Sequence, residues 1–329
     1  MRVALLLVGY AATLALVGPL LARASWSARA PRLAILAWQA LTAAVVASVA
    51  LAGVALVVPS VPVSGNVAEL LHACVMMLRE QYATPGGAAA AAGGLVFALF
   101  VVLRVGGFLV VGLVRARRER SRHAEVLAVV GGYRADLGVT VLDHARPAVY
   151  CLPGAGHRIV LTSAALAALS PSALDAVIAH ERAHIRQRHH LALAYADAME
   201  RAFPKVALFR LAAEHTRRLV ELAADDAACS RADSLALAGA LLDLAGTGAP
   251  AAAPPAALAA SGGQVGPRVR RLLAAPRPLH WAVAGGGTLV AGVLLALPLV
   301  LAAQPAVASA EMSACPLLDQ SAAAAQPSA

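Results

Sequence analysis

Residues 170–190 read SPSALDAVIAHERAHIRQRHH, and this stretch decides how the rest of the chain is organised. Ser170 followed by Pro171 is a helix start, with serine as N-cap and proline at the first helical position. Within that helix, His180-Glu181-Arg182-Ala183-His184 puts two imidazoles four residues apart, hence on one face, with Glu181 one position along. Two such histidines can share one divalent ion while the glutamate points toward a water on it, which is the layout of a hydrolytic zinc centre. A second helix is expected from about Val206 to Cys229, after the break at Pro204, and carries Glu221 and Asp225 four apart on one face. The expected roles are Zn2+ ligation by His180, His184 and Glu221, proton transfer by Glu181, and a supporting hydrogen bond from a ligand imidazole to Asp225.

Ahead of the active helix the pattern is β. Val139–Leu142, Ala148–Cys151 and Arg158–Thr162 are short β-prone runs separated by Pro147, Pro153, Gly154 and Gly156, and predict a small sheet. Gly154-Ala155-Gly156 lacks the remainder of a dinucleotide fingerprint and leads into a strand, so it reads as a turn. Ala124 to Gly131 looks like a helix start. Residues 246–267 are rich in Ala, Pro and Gly and read as a flexible linker.

Composition sets the environment. Of 329 residues, 60% are hydrophobic and 14% charged, and the mean hydropathy of +0.72 excludes an ordinary soluble domain. Segments 3–22, 33–58, 91–114 and 281–303 are each near the ~20 residues a membrane-spanning helix needs. The first is read as a retained span; a cleaved signal peptide is the alternative, since Arg2 precedes the apolar run and Leu21–Ala24 resembles a cleavage site. Segment 59–88 is then an external loop, 115–280 a folded hydrophilic domain, and 304–329 a short external tail.

Arginine fixes the orientation. Arg23, Arg29 and Arg32 lie between spans one and two; Arg115, Arg117, Arg118, Arg120 and Arg122 follow span three; Arg268, Arg270, Arg271 and Arg277 precede span four. All three clusters fall on the cytoplasmic side if both termini are external, which makes the hydrophilic domain cytoplasmic and the protein multi-pass in a bacterial plasma membrane. The net charge of +9 is thus mostly juxtamembrane arginine, an anchor on anionic lipid rather than a surface for nucleic acid. Cys74 and Cys315 fall on external pieces and either pair or remain thiols; Cys151 and Cys229 fall in the cytoplasmic domain.

Several residues carry weaker expectations. His189 and His190 read as solvated helix-end histidines, with a ligand role as the rival. His215 is expected to be exposed, with oxyanion stabilisation as the rival. Tyr150 and Tyr195 are unassigned. Arg104, inside span three, reads as snorkelling toward the cytoplasmic end, or else as a functional intramembrane charge.

Three spans, a cytoplasmic H-E-x-x-H domain and a fourth span together resemble the BlaR/MecR-type membrane metallopeptidases, over roughly residues 1–303. Glu221-x-x-Ala224-Asp225 is also similar to the E-x-x-A-D segment of HtpX and CAAX-prenyl proteases. The resemblance implies a mainly α, four-helix integral membrane protein with a cytoplasmic α+β zincin-like (gluzincin) domain between the third and fourth spans. It also implies His180 and His184 as zinc ligands, Glu181 as the catalytic glutamate, Glu221 as third ligand and Asp225 as its support. The implied partner is a BlaI/MecI-type repressor, cleaved or inactivated, after self-cleavage or directly. Two departures stand out: only about 26 residues follow span four, with no S-x-x-K motif of a penicillin-binding sensor, and His189-His190 stand where close relatives often have an acidic residue. An HtpX-like quality-control protease, or a receptor or scaffold that does not cut, are the alternatives.

Overall fold

A computed structural model describes residues 2–57, 86–154, 158–230, 232–246, 258–259, 265–274 and 281–313. Cys74, Cys315 and most of the expected external loop and linker lie outside the described residues.

Among the described residues, four helices are long and apolar enough to cross a membrane: α1 (Arg2–Ala22), α2 (Pro31–Val54), α3 (Gly87–Val130) and, over Gly285–Ala303, the last helix described. α3 continues as helix past the expected end of the span near 114 and takes in the separate helix expected to start at Ala124. Residues 115–122 contain neither glycine nor proline and are mostly arginine, a good helix former, so nothing stops the helix before Gly131-Gly132.

Contacts divide the chain into two compact units, one drawn from 1–17, 40–104 and 290–329, the other from 18–39 and 105–289. In the first, α2 and α3 approach at Gly53 and Gly94. A Cβ on either glycine would lie 2.5 Å from the other's carbonyl oxygen, so this crossing requires the absence of a side chain. Ala4, Leu7 and Ala52 are buried there, while Leu5, Leu6, Val96, Phe97 and Leu99 are exposed, as lipid-facing residues should be. The Arg104 guanidinium lies 5.7 Å from the Phe100 ring centroid.

The second unit holds the sheet. β1 (Gly131–Arg134), β2 (Val139–Leu142), β3 (Val149–Leu152), β4 (Arg158–Thr162) and β5 (Leu258–Ala259) are ordered β1-β2-β4-β3-β5, with β2 and β4 parallel and the other pairs antiparallel. Five helices follow β4: α4 (Ser163–Ala168), α5 (Pro171–Arg186), α6 (His189–Ala202), α7 (Ala207–Cys229) and α8 (Ser234–Gly246). Then come α9 (Val265–Leu273) and α10 (Trp281–Ser313). β3 alternates between two apolar environments: Val149 and Cys151 join the core made with Leu174, Val177 and Ile178 of α5, while Tyr150 and Leu152 pack with Leu127 of α3. Burial on both faces explains why all four residues of β3 are buried, without a polar alternate. The expected linker is corrected in part, since Leu258-Ala259 pair with β3 and Val265–Leu273 is helical. α10 likewise carries helix through residue 313, into the expected tail.

Candidate metal centre

α5 begins as its sequence dictates. The Ser170 hydroxyl accepts from the Ala173 amide at 3.3 Å, and Pro171 occupies the first turn. Its apolar face seats Leu174, Val177 and Ile178 against the sheet, which leaves His180, Glu181 and His184, all fully buried, on the flank that meets α7. α7 runs Ala207–Cys229, one residue from the expected start, and delivers Glu221 and Asp225.

The structure brings all five expected residues together. His180 Nε2 and His184 Nε2 are 3.1 Å apart; each lies 3.5 Å from a Glu221 carboxylate oxygen, Oε2 and Oε1 respectively. Ligands 2.0–2.1 Å from one tetrahedral ion stand about 3.3 Å from each other. The three side chains therefore already have the spacing a zinc ion would impose, and they are a set of potential ligand atoms within 4.8 Å of one another. Glu221 Oε2 is buried and accepts no aligned hydrogen bond, with the Arg268 guanidinium as its neighbouring cation. The Glu221 side chain is 19% exposed against zero for both histidines, while its Oε2 is buried.

Glu181 is fully buried, and among the described residues no N–H or O–H donor reaches either of its oxygens; the Cys151 thiol of β3 is its polar neighbour. Burial pushes its carboxyl up to about 8, against the pull of His180. Burial opposes a charge on His180, yet Asp225 and Glu221 overrule it and raise the imidazole to about 9. Burial drops His184 to about 3 and keeps it neutral.

Asp225 lies behind His180, its Oδ1 3.0 Å from Nδ1, a short contact that is not linear enough for a well-aligned hydrogen bond. What fixes Asp225 is Arg268, whose Nε and Nη2 donate to its two oxygens at 2.9 and 2.7 Å, while Nη1 lies 2.9 Å from Glu221 Oε2. Burial raises Asp225, but His180 and Arg268 hold it at about 2; the neighbouring imidazoles and Arg268 likewise hold Glu221 at about 2.

Arg268 is a site residue that sequence alone places among the juxtamembrane arginines. It is 2% exposed, on α9, and its partners are 43 and 47 residues away in sequence, so spacing carried no signal. His189 is a second correction. It is 3% exposed, not solvated, and its Nδ1 lies 3.0 Å from His184 Nδ1. His215 is half-buried and stacks on Trp38, ring centroids 5.3 Å apart, in place of the exposed position expected. Tyr150 is buried and hydrogen-bonds His123 at 2.7 Å, and Tyr195 donates to the Gln39 carbonyl at 3.4 Å. Cys151 and Cys229 are free thiols.

Residues 114–216 match Peptidase family M48. The match takes in just under a third of the chain, includes the whole pentad and stops five residues before Glu221. It supports a metallopeptidase, whose substrates are proteins, and the four long apolar helices support a membrane protein. No curated protein and no solved structure matches the chain.

Proposed function

We propose that the chain is a membrane-embedded zinc endopeptidase of gluzincin type. The observation that carries this reading is the convergence of His180, His184 and Glu221 at tetrahedral spacing with a dry Glu181 carboxylate beside them. When bound, zinc supplies Lewis acidity toward a scissile carbonyl and lowers the pKa of water toward neutrality. Glu181 takes the proton of the attacking water and returns it to the leaving amine, and burial, which raises its pKa, makes the ionised carboxylate a stronger base toward that water. Asp225, charged through its contact with Arg268, orients His180. His184 and Glu221 complete the ligand set.

The domain 115–280 is cytoplasmic in this reading, with both termini external, because each arginine cluster then lies on the inner face. A cytoplasmic peptidase reaches soluble targets, and the substrate proposed is a BlaI/MecI-type repressor, cut or inactivated in a signalling response. Comparing cleavage products in cells carrying the wild type and Glu181→Gln tests the reading. Repressor fragments confined to the wild type support it, and equal fragments in both strains would overturn it. The Glu221-x-x-Ala224-Asp225 segment favours a second reading, an HtpX-like quality-control protease, for which the fragments would come from many membrane proteins. A receptor that does not cut would signal undiminished in the Glu181→Gln strain.

A further inference from the structure

The turn joining α5 to α6 carries a line of polar contacts that ends on a proposed metal ligand. Gln187 closes α5, and Arg188, at φ 52, is the one non-glycine residue with positive φ among the described residues; that left-handed step folds His189 back beneath His184. The Gln187 amide nitrogen donates to the Ala223 carbonyl at 3.5 Å, and its Oε1 accepts from Arg32 Nε at 3.0 Å. A guanidinium can only donate, so this end of the amide is the oxygen. His189 Nε2 lies 3.2 Å from the same oxygen and must therefore carry a proton. The His184 and His189 rings face each other Nδ1 to Nδ1 at 3.0 Å, so one donates and the other accepts, and a ligand that offers its Nε2 lone pair to a metal carries its proton on Nδ1. His184 Nδ1 must then be the donor, and its Nε2 the lone pair aimed at His180 and Glu221.

We propose that Arg32, Gln187 and His189 form a directional hydrogen-bond chain that locks His184 in its Nδ1–H tautomer and so presents Nε2 to a divalent metal ion. His189 is thus a positioning residue acting through His184, with Gln187 setting His189 and Arg32 setting Gln187. The inference rests on the metal-site reading. A proton on Nε2 of His184 would block coordination, so removal of the acceptor at 189 lets the wrong tautomer compete and weakens metal binding without touching a ligand.

The test is zinc affinity of the full-length chain in detergent, by competition with a chelator, alongside thermal unfolding in excess chelator. His189→Leu keeps apolar bulk and loses the acceptor; zinc affinity is expected to fall about 10- to 100-fold. His189→Asn restores an acceptor and is expected to bind within about threefold of the wild type, as an outer hydrogen-bond partner should. Gln187→Met, on the half-exposed turn, provides a second variant should His189→Leu not fold, with a loss of about three- to tenfold expected. Undiminished affinity in whichever of the His189→Leu and Gln187→Met chains fold would overturn the relay. So would a His189→Asn chain that binds as weakly as His189→Leu while both stay folded. A wild-type chain that binds no zinc would instead overturn the metal reading beneath it.

Discussion

Replacing Arg268 by methionine tests whether the cluster is a buried charge network or a surface contact. The side chain is 2% exposed, makes a two-pronged contact with Asp225, itself 1% exposed, and lies 2.9 Å from Glu221 Oε2. Methionine fills similar volume but leaves two carboxylates without their cation, and breaking a buried pair by removing one partner costs about 3–5 kcal/mol. At ~2–4 °C per kcal/mol for a unit of this size, the unfolding midpoint in excess chelator should fall by roughly 6–20 °C. Arg271→Met is the control: Arg271 pairs with Asp226 at 2.6 Å, but the two are 25% and 42% exposed, and such a pair is worth less than about 1 kcal/mol. Zinc should recover part of the Arg268→Met loss, since a bound cation gives Glu221 a new partner. Differential scanning of the detergent-solubilised chain measures both variants. Equal midpoints for Arg268→Met and Arg271→Met would refute the network.

Glu181→Gln should retain zinc in equilibrium dialysis while proteolysis of a reporter substrate falls about 10²- to 10⁴-fold, because the amide cannot shuttle a proton. The metal-free chain should lose stability on both sides of neutrality. His180, raised to about 9 by Asp225 and Glu221, contributes fully below its unfolded value of 6.5 and loses that contribution as pH rises through 9. His189, lowered by burial to about 4, contributes above 6.5 and loses it as pH falls toward 4. Glu181, raised by burial, adds to the alkaline loss and His184, lowered by burial, to the acid one, so each limb is worth on the order of a few kcal/mol; denaturant titrations at pH 5, 7 and 9 in chelator read both, and saturating zinc should flatten the alkaline limb. Arg188→Gly should stabilise by up to about 1 kcal/mol by relieving the left-handed backbone, and Arg188→Val should destabilise, as urea midpoints will show.

The pentad was legible because helical geometry alone joins residues four apart, and the same rule exposed Glu221 and Asp225. Ser170-Pro171 marked the start of α5 because capping is a local interaction between residues three apart. β1 was hidden by Gly131-Gly132, poor strand formers held by pairing with β2, and β5 by two residues inside a composition that reads as linker. Arg268 and His189 escaped for a different reason. An arginine near a span looks the same in sequence whether it meets phosphate headgroups or a buried aspartate, and the choice depends on where α9 docks. A histidine one turn past a metal-binding pair looks solvated unless the helix ends before it, and here the Arg188 turn ends it.

In the proposed zinc site, Arg268 and His189 bear on one chemical problem, how to keep two imidazoles ready to coordinate inside a protein. An imidazole offers its Nε2 lone pair only while its other nitrogen holds the proton, and in a buried site solvent cannot supply the partner that keeps it there. His180 is served by an acidic group, Asp225, whose charge survives burial because Arg268 clamps it. His184 is served by a neutral chain, His189 and Gln187, anchored on Arg32. The division has an electrostatic logic. A further buried carboxylate at 189 would add negative charge to a cluster that already holds Glu181, Glu221 and Asp225, and would raise Glu181 further. A neutral acceptor orients His184 without that cost, which is why asparagine rather than aspartate is the informative replacement at 189.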